Sequence, residues 1–269
     1  MTVAQEMARK KRKLVILIVV LILCIGLAAF FAVSLALEIS SIQEGQSYYS
    51  NLAIDFEPRS NHQTTVNETH VEEMPSDSIK DHVPFIEFDS VGETIPDIVA
   101  WIQSDATVIN YPVVRGTDND FYLSHLPDKT KNKAGSIFLD YRNMTDFSDK
   151  NILIYGHNMS SGDMFGSLKN YSDQSYFEQH YSMFLFTPTA DYELLLYAGY
   201  VLDSAYEVPP MYFDDLADFD RYIADVSKRS IFKSDVEVNF GDQLIFLCTC
   251  TPSSSKDERL ILVCKLAIK

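Results

Sequence analysis

Positive charge is scarce in this chain beyond its first residues. Against 38 aspartates and glutamates stand 22 lysines and arginines, a formal net charge of −16 over 269 residues. Arg9, Lys10, Lys11, Arg12 and Lys13 face only Glu6 in the first thirteen positions, a local +4, so residues 14–269 carry −20. That body offers no basic footprint for a phosphate backbone, which excludes nucleic acid as a partner. It weakly favours cationic or amine-bearing partners, although acidic surfaces also serve solubility. Cysteine is sparse as well: Cys24, Cys248, Cys250 and Cys264, with no C-x-x-C pair, are too few for a structural zinc cluster. Internal repeats are absent.

Among what is present, the first feature is Leu14 to Leu37, 24 residues without a charge and long enough to cross a bilayer as a helix. The basic cluster precedes it, so the N-terminus is expected in the cytoplasm and the body outside. Ser34-Leu-Ala36 has the small-residue spacing of a cleavage site. Signal-peptide cores are only about 7–15 residues long, however, and the retained single-pass anchor is the expected reading. Cys24, inside the run, reads as a small lipid-facing hydrophobe. Residues 38–83 are polar with little apolar periodicity and predict an extracellular stalk, Glu38 to Tyr49 continuing the membrane helix for a few turns. His62, His70 and His82 fall in or at the edge of it and read as solvated. The expected division is therefore 1–13 basic tail, 14–37 anchor, 38–83 stalk and 84–269 folded domain.

Within that domain, Pro96 to Ile102, with Ile98, Val99, Trp101 and Ile102, predicts a short amphipathic helix. Strand-like runs follow at Thr107–Val114, Gly135–Asp140, Asn151–Tyr155, Met183–Thr187 and Tyr192–Val201. Asp163 is expected to cap a helix carrying Met164, Phe165, Leu168 and Tyr171 on one side. Asp215 to Lys228 is a clearer amphipathic helix. Val236–Asn239 and two terminal strands bring the count to eight. Many short strands with few helices predict a mainly β fold, a closed or nearly closed barrel with peripheral helices.

The chemistry concentrates at Leu244-Ile-Phe-Leu-Cys-Thr-Cys250, an apolar strand that ends in a thiol before Thr251-Pro252. After a polar loop the chain turns apolar again at Arg259, so two antiparallel strands would set Arg259 close to Cys250. Alternation puts Arg259, Ile261 and Val263 on one face and Cys264 on the other, which makes Cys264 an inert buried thiol. Cys248 shares a face with Cys250 and is a cleft neighbour, a packing residue or half of a regulatory disulfide. A base is then needed. His125 and His180 read as surface residues, but His157 follows the strand Asn151–Tyr155 across one glycine, Gly156, expected to give a sharp turn. A histidine within reach of a cysteine raises its thiolate fraction and protonates a leaving amine.

Tyr155-Gly-His-Asn-Met159, Met164-Phe-Gly-Ser-Leu168 and Leu247-Cys-Thr-Cys250 followed by Arg259 resemble the sortases, class B in particular. Ile109-Asn-Tyr-Pro-Val113, Asp118-Asn-Asp-Phe-Tyr-Leu123 and Gly135-Ser-Ile-Phe-Leu-Asp-Tyr-Arg142 extend the likeness over roughly Pro84 to Lys269. The resemblance implies an eight-stranded sortase-type β-barrel and a membrane-anchored cysteine transpeptidase of Gram-positive cells. Its catalytic residues would be His157, Cys250 and Arg259. Its partners would be secreted proteins bearing a C-terminal sorting signal and a peptidoglycan cross-bridge amine or pilin lysine. No cofactor is implied, and no carboxylate cluster demands calcium. Two departures stand out. Phe246 replaces the first threonine of the family's Thr-Leu-x-Thr-Cys motif, and Thr251 stands where members often carry an acidic residue. Residues 204–215 fall where class B members carry an insertion beside the substrate groove, which makes Tyr206 and Tyr212 candidate contacts, together with Asn119, Tyr155, Cys248, Thr249 and Thr251. Two alternatives remain at this level. A papain-like cell-wall peptidase normally places its cysteine before its histidine, the reverse of the order here. A non-enzymatic surface-binding domain would make Cys250 a core thiol.

Overall fold

The structure, a computed structural model, describes residues 3–56, 86–202, 208–250 and 258–268, the side chains of residues 3–6, 8, 9 and 250 excepted. Most of the expected stalk, with its three histidines, lies outside the described residues, as do Tyr206 and Thr251. The chain divides into two units, Met1–Ser47 and Tyr48–Lys269.

The first unit is a single run of helix α1 (Val3–Asp55). Every side chain from Lys10 to Ser40 is exposed, including the whole uncharged stretch. This helix is long and apolar enough to cross a membrane.

The second unit begins with the last two turns of α1. Tyr49 and Leu52 are buried there and belong to the same hydrophobic core as the barrel. The folded domain thus takes in residues that sequence reasoning gave to the stalk, because two apolar side chains three apart are enough to dock one helical face but too few to show as periodicity.

Helix α2 (Phe88–Thr94) leads into β1 (Ile98–Gln103), β2 (Asn110–Val114), β3 (Ile137–Leu139), β4 (Asn151–His157), β5 (Ser182–Phe186), β6 (Asp191–Leu202), β7 (Leu244–Cys250) and β8 (Arg259–Ile268). They close a barrel in the order β1-β2-β3-β4-β7-β8-β6-β5. The pairs β2/β3 and β4/β7 are parallel and the rest antiparallel. Helices α3 (Gln174–Gln179) and α4 (Leu216–Arg229) lie in the connections. The carboxylate of Asp215 accepts the Asp218 N–H at the start of α4, as its N-cap position requires.

Among the described residues eight strands are present, but not the eight expected. Residues 98–103 form β1 rather than a helix, and β1 is what closes the barrel between β2 and β5. Ile98-Val-Ala-Trp-Ile is apolar at both parities, so periodicity cannot separate strand from helix, and its β-branched and aromatic content suits a strand. Trp101 is wholly buried and its indole N–H donates to Asn110 Oδ1 at 2.6 Å, tying β1 to β2. Val236–Asn239, counted as a strand, is irregular. The segment after Asp163 is a 3₁₀ helix over Phe165–Ser172, with Phe165, Leu168 and Tyr171 buried. Asp163 does not cap it with its carboxylate, which accepts from the Ser161 hydroxyl.

Candidate active site

Parallel pairing brings like ends of strands together, and β4 and β7 run side by side from Asn151↔Leu244 to His157↔Cys250. Their last residues are therefore direct neighbours, on strands about 4.8 Å apart. β8 runs antiparallel to β7, with Cys248 across from Ile261. Arg259, the first residue of β8, lies two residues before Ile261, at the same end of the barrel as Cys250. On the β6 side Arg259 faces Leu202, the last residue of β6. His157, Cys250, Arg259 and Leu202 thus end or begin four neighbouring strands at one end of the barrel, and Cys248 and Phe246, lower on β7, share one face. That face is external, since Phe246, further down the same column, meets the ring of Tyr222 from α4 at 6.2 Å.

The ring of His157 is half-buried, and its Nε2 lies within hydrogen-bonding reach of the Leu123 carbonyl. A carbonyl only accepts, so Nε2 carries the hydrogen and Nδ1 is the nitrogen left to exchange a proton. Gly156 does not make the expected turn: β4 runs unbroken through it to His157. Its role is steric. A Cβ there would stand 2.4 Å from Ile137 Cδ1 and 2.7 Å from the Phe165 ring.

The row beneath is Tyr155, Cys248, Ile261 and Tyr200. Cys248 is buried and lies among the phenols of Tyr155, Tyr200 and Tyr222, with its Sγ 3.6 Å from the Phe246 carbonyl. Of the three roles left open for it, the packing residue is the one its surroundings match. Cys264 is buried on the opposite face, and desolvation pushes its thiol well up.

Thr249 is buried too, and its hydroxyl is occupied internally. It accepts the Leu260 N–H at 2.9 Å and donates to the Leu260 carbonyl at 3.2 Å. A side chain here does what backbone pairing does lower in the ladder, and it fixes the residue beside Arg259.

Asn119 and Tyr155 converge on a residue that sequence reasoning quoted but gave no role. Asp140, fully buried, accepts from Asn119 Nδ2 and the Tyr155 hydroxyl, each at 3.0 Å, and from Arg142 Nε and Nη2 at 2.8 and 2.7 Å. Burial works to raise the Asp140 carboxyl, but the side-chain and backbone donors of Arg142, with Asn119, outweigh it and hold the carboxyl below its usual range. Asn119 Oδ1 also accepts the Tyr141 N–H. These groups brace the wall beside His157. A buried carboxylate inside an apolar run, with an arginine two residues on, was the available signal. Tyr212 is 69% exposed on the loop before α4.

A cavity of about 290 Å³ opens on the same face, lined by Tyr200 and Leu202 of β6, Val208, Pro210 and Phe213 of the following loop, and Tyr222 of α4 among others. Leu202, across from Arg259, joins it to the site. Among the described residues, no group of three or more His, Cys, Asp or Glu side chains is placed to hold a metal ion.

The closed eight-stranded barrel thus carries a histidine, a cysteine and an arginine at the ends of neighbouring strands. The Sortase domain family model matches residues 102–267. Sortase B of Listeria monocytogenes is 36% identical over 174 residues, covering 64% of this chain and 71% of its own. Sortase B of Staphylococcus aureus is 30% identical over 183 residues, covering 68% and 75%. A Staphylococcus aureus sortase B–substrate complex superposes with a TM-score of 0.64 at 29% identity, covering 67% of this chain and 84% of that one. The chain belongs to the sortase family of cysteine transpeptidases, and within it to class B.

Proposed function

We propose that this protein is a membrane-anchored transpeptidase that cuts the C-terminal sorting signal of secreted proteins and joins them to an amine of the cell wall. The observation that carries this reading is the register His157↔Cys250, with Arg259 opening the neighbouring strand. Cys250, as thiolate, attacks the carbonyl of a threonyl peptide bond, and the tetrahedral adduct collapses to a thioester. His157 delivers the proton from Nδ1 to the departing amine. The same imidazole then accepts a proton from the incoming amine as it attacks the thioester, which breaks the C–S bond, releases Cys250 as the thiolate beside a restored imidazolium and forms a new amide. Arg259 donates to the oxyanion or the substrate backbone; its fork suits two acceptors at once.

The cavity beside Leu202 is the site proposed to receive residues of the signal preceding the cut bond. Its lining of leucine, valine, proline and aromatic rings suits an apolar or prolyl side chain. Support for a peptide substrate also comes from the related Staphylococcus aureus enzyme, whose structure is a substrate complex. The accepting amine is a peptidoglycan cross-bridge or a pilin lysine. The basic residues 9–13 at the start of α1, just before the uncharged run 14–37, favour an N-terminus in the cytoplasm and residues 48–269 outside. The divisions 1–13, 14–37 and 38–83 are the tail, span and connector of this arrangement, with Tyr48–Asp55 docked on the domain.

The deciding experiment incubates the full chain with a sorting-signal peptide and an oligoglycine amine and identifies products by mass. Wild-type chain is expected to give the amide-linked product and Cys250→Ala none. An unchanged rate in Cys250→Ala overturns the reading.

A further inference from the structure

The C-terminal turns of α1 reach the back of the histidine. Tyr49, 7% exposed, donates its hydroxyl to the Gly135 carbonyl at 2.5 Å across 86 residues of sequence. Gly135 is in the left-handed region at φ 60°, and a Cβ there would lie 2.8 Å from both His157 Cδ2 and the Leu123 oxygen. The backbone that Tyr49 holds is therefore pressed against the imidazole and against the carbonyl that takes its Nε2–H. The neighbouring bonds tie the same pieces together: Ser136 N–H donates to the Tyr122 carbonyl at 2.9 Å, and the Ser136 hydroxyl to the His125 carbonyl at 2.8 Å.

A second arm starts from the same ring. Tyr49 packs edge-to-face on Tyr111 at 5.2 Å, and the Tyr111 oxygen accepts the Met164 N–H at 3.0 Å. Met164 holds a positive φ of 55° with a full side chain, an arrangement that needs outside support. The next residue, Phe165, fills the space left by the missing Cβ of Gly156, beside His157. Two of the contacts of Tyr49, through its hydroxyl and through its ring on Tyr111, thus lead to groups beside His157 or its immediate neighbour, while its ring also packs on Tyr48. Desolvation pushes both phenols up, with Tyr48, Tyr49, Tyr111, Asp128 and Asp163 the ionisable groups close by, so Tyr49 stays a neutral donor.

We propose that Tyr49, together with Tyr111, is a positioning pair for His157, the two phenolic oxygens, on the Gly135 carbonyl and the Met164 N–H, setting the orientation of the imidazole. The proposal rests on His157 being the proton carrier. It explains why a tyrosine near the membrane-side end of the chain is buried in the domain with its hydroxyl on a glycine carbonyl, where apolar packing alone would have served.

The test uses full-length chain in detergent, with Tyr49→Phe as the main variant and Leu52→Ala as the control. Leu52 docks the same turns through apolar contact alone. Tyr49→Phe is expected to lower kcat about tenfold with KM within about twofold, the scale set by small misplacements of reacting groups. It should also move the kcat pH profile and the ring-nitrogen resonances of His157. Leu52→Ala should lower the unfolding midpoint while leaving that profile in place. Wild-type kcat, profile and resonances in Tyr49→Phe overturn the proposal, as does an equal shift of profile in Leu52→Ala. Should Tyr49→Phe fail to fold, Tyr111→Phe, which breaks the second arm, carries the same readouts and the same two outcomes. His157→Ala separates the two levels: if it retains turnover, the site itself has been misread. If it is inactive while Tyr49→Phe behaves as wild type, only the positioning pair is wrong.

Discussion

His157 and Cys250 are register partners at the shared end of a parallel strand pair, although 93 positions separate them in the chain. Backbone hydrogen bonding, not a loop, sets their spacing. Tolerance of change at this site is therefore decided by what keeps β4, β7 and β8 in register, and each prediction below tests one part of that frame.

Arg259 begins β8 across from Leu202, at the barrel end where β7 finishes in Cys250. Arg259→Lys is expected to lose about 10²–10³ in kcat, since an ammonium keeps the charge but not the two-pronged donor geometry. Steady-state cleavage of a sorting-signal peptide measures it. Near-normal turnover would leave Arg259 a packing role only.

Thr249 bridges to both backbone groups of Leu260. Thr249→Val keeps the shape and strips the hydroxyl, leaving the Leu260 N–H without its partner, at a cost of about 1–3 kcal/mol. Because the next residue is Arg259, kcat/KM should fall along with stability. Thr249→Ser should restore both. A serine variant as impaired as the valine one would show that the methyl, not the hydroxyl, is what matters.

At Gly156 any side chain meets Ile137 and Phe165 within 2.7 Å. Gly156→Ala is expected to destabilise the domain by about 1–3 kcal/mol, as overpacking does, and to displace His157. Thermal unfolding together with turnover measured well below the midpoint separates the two effects. Full activity in a destabilised protein would mean that the strain relaxes away from the histidine.

Alkali should unfold this protein through its tyrosines. Burial, the first cause in each case, pushes Tyr111 and Tyr200 up to about 12 and raises Tyr49, Tyr122, Tyr155, Tyr171 and Tyr222 as well. Unfolded tyrosine ionises near pH ~10. The stability these groups contribute is thus intact below that pH and is lost as pH rises from ~10 through 12 and beyond, where only the unfolded chain gains charge. Phenolate absorbance should rise late and cooperatively with loss of structure. Gradual titration beginning at the free-tyrosine value would contradict the burial. At the acid end Asp140, whose carboxyl is held down, gives the opposite sign: its contribution is full above about pH 4 and falls as pH drops through its lowered value.

Much of the site was legible because its residues sit at strand ends that the sequence marks. Proline after Cys250, a polar loop before Arg259 and an apolar run leading to His157 placed the three without coordinates. What could not be read is what depends on pairing. Ile98–Gln103 becomes a strand only because β2 and β5 flank it. Cys248 and Thr249 both read as residues beside Cys250 in sequence, yet one packs among tyrosines and the other replaces a backbone pair. Asn119 and Tyr155 read as surface contacts until Asp140, distant in sequence, is found to gather both. Tyr49 lies in a region of polar composition, and its burial follows from one remote carbonyl that no local pattern announces.

β7 inserts between β4 and β8, and the closing strands come last in the sequence. A chain emerging N-terminus first has its imidazole long before it owns a nucleophile, and the strand bearing the sulfur must slot into a gap whose other rim has still to arrive. On the roles proposed for His157 and Cys250, a chain still lacking β7 has no sulfur with which to form the thioester.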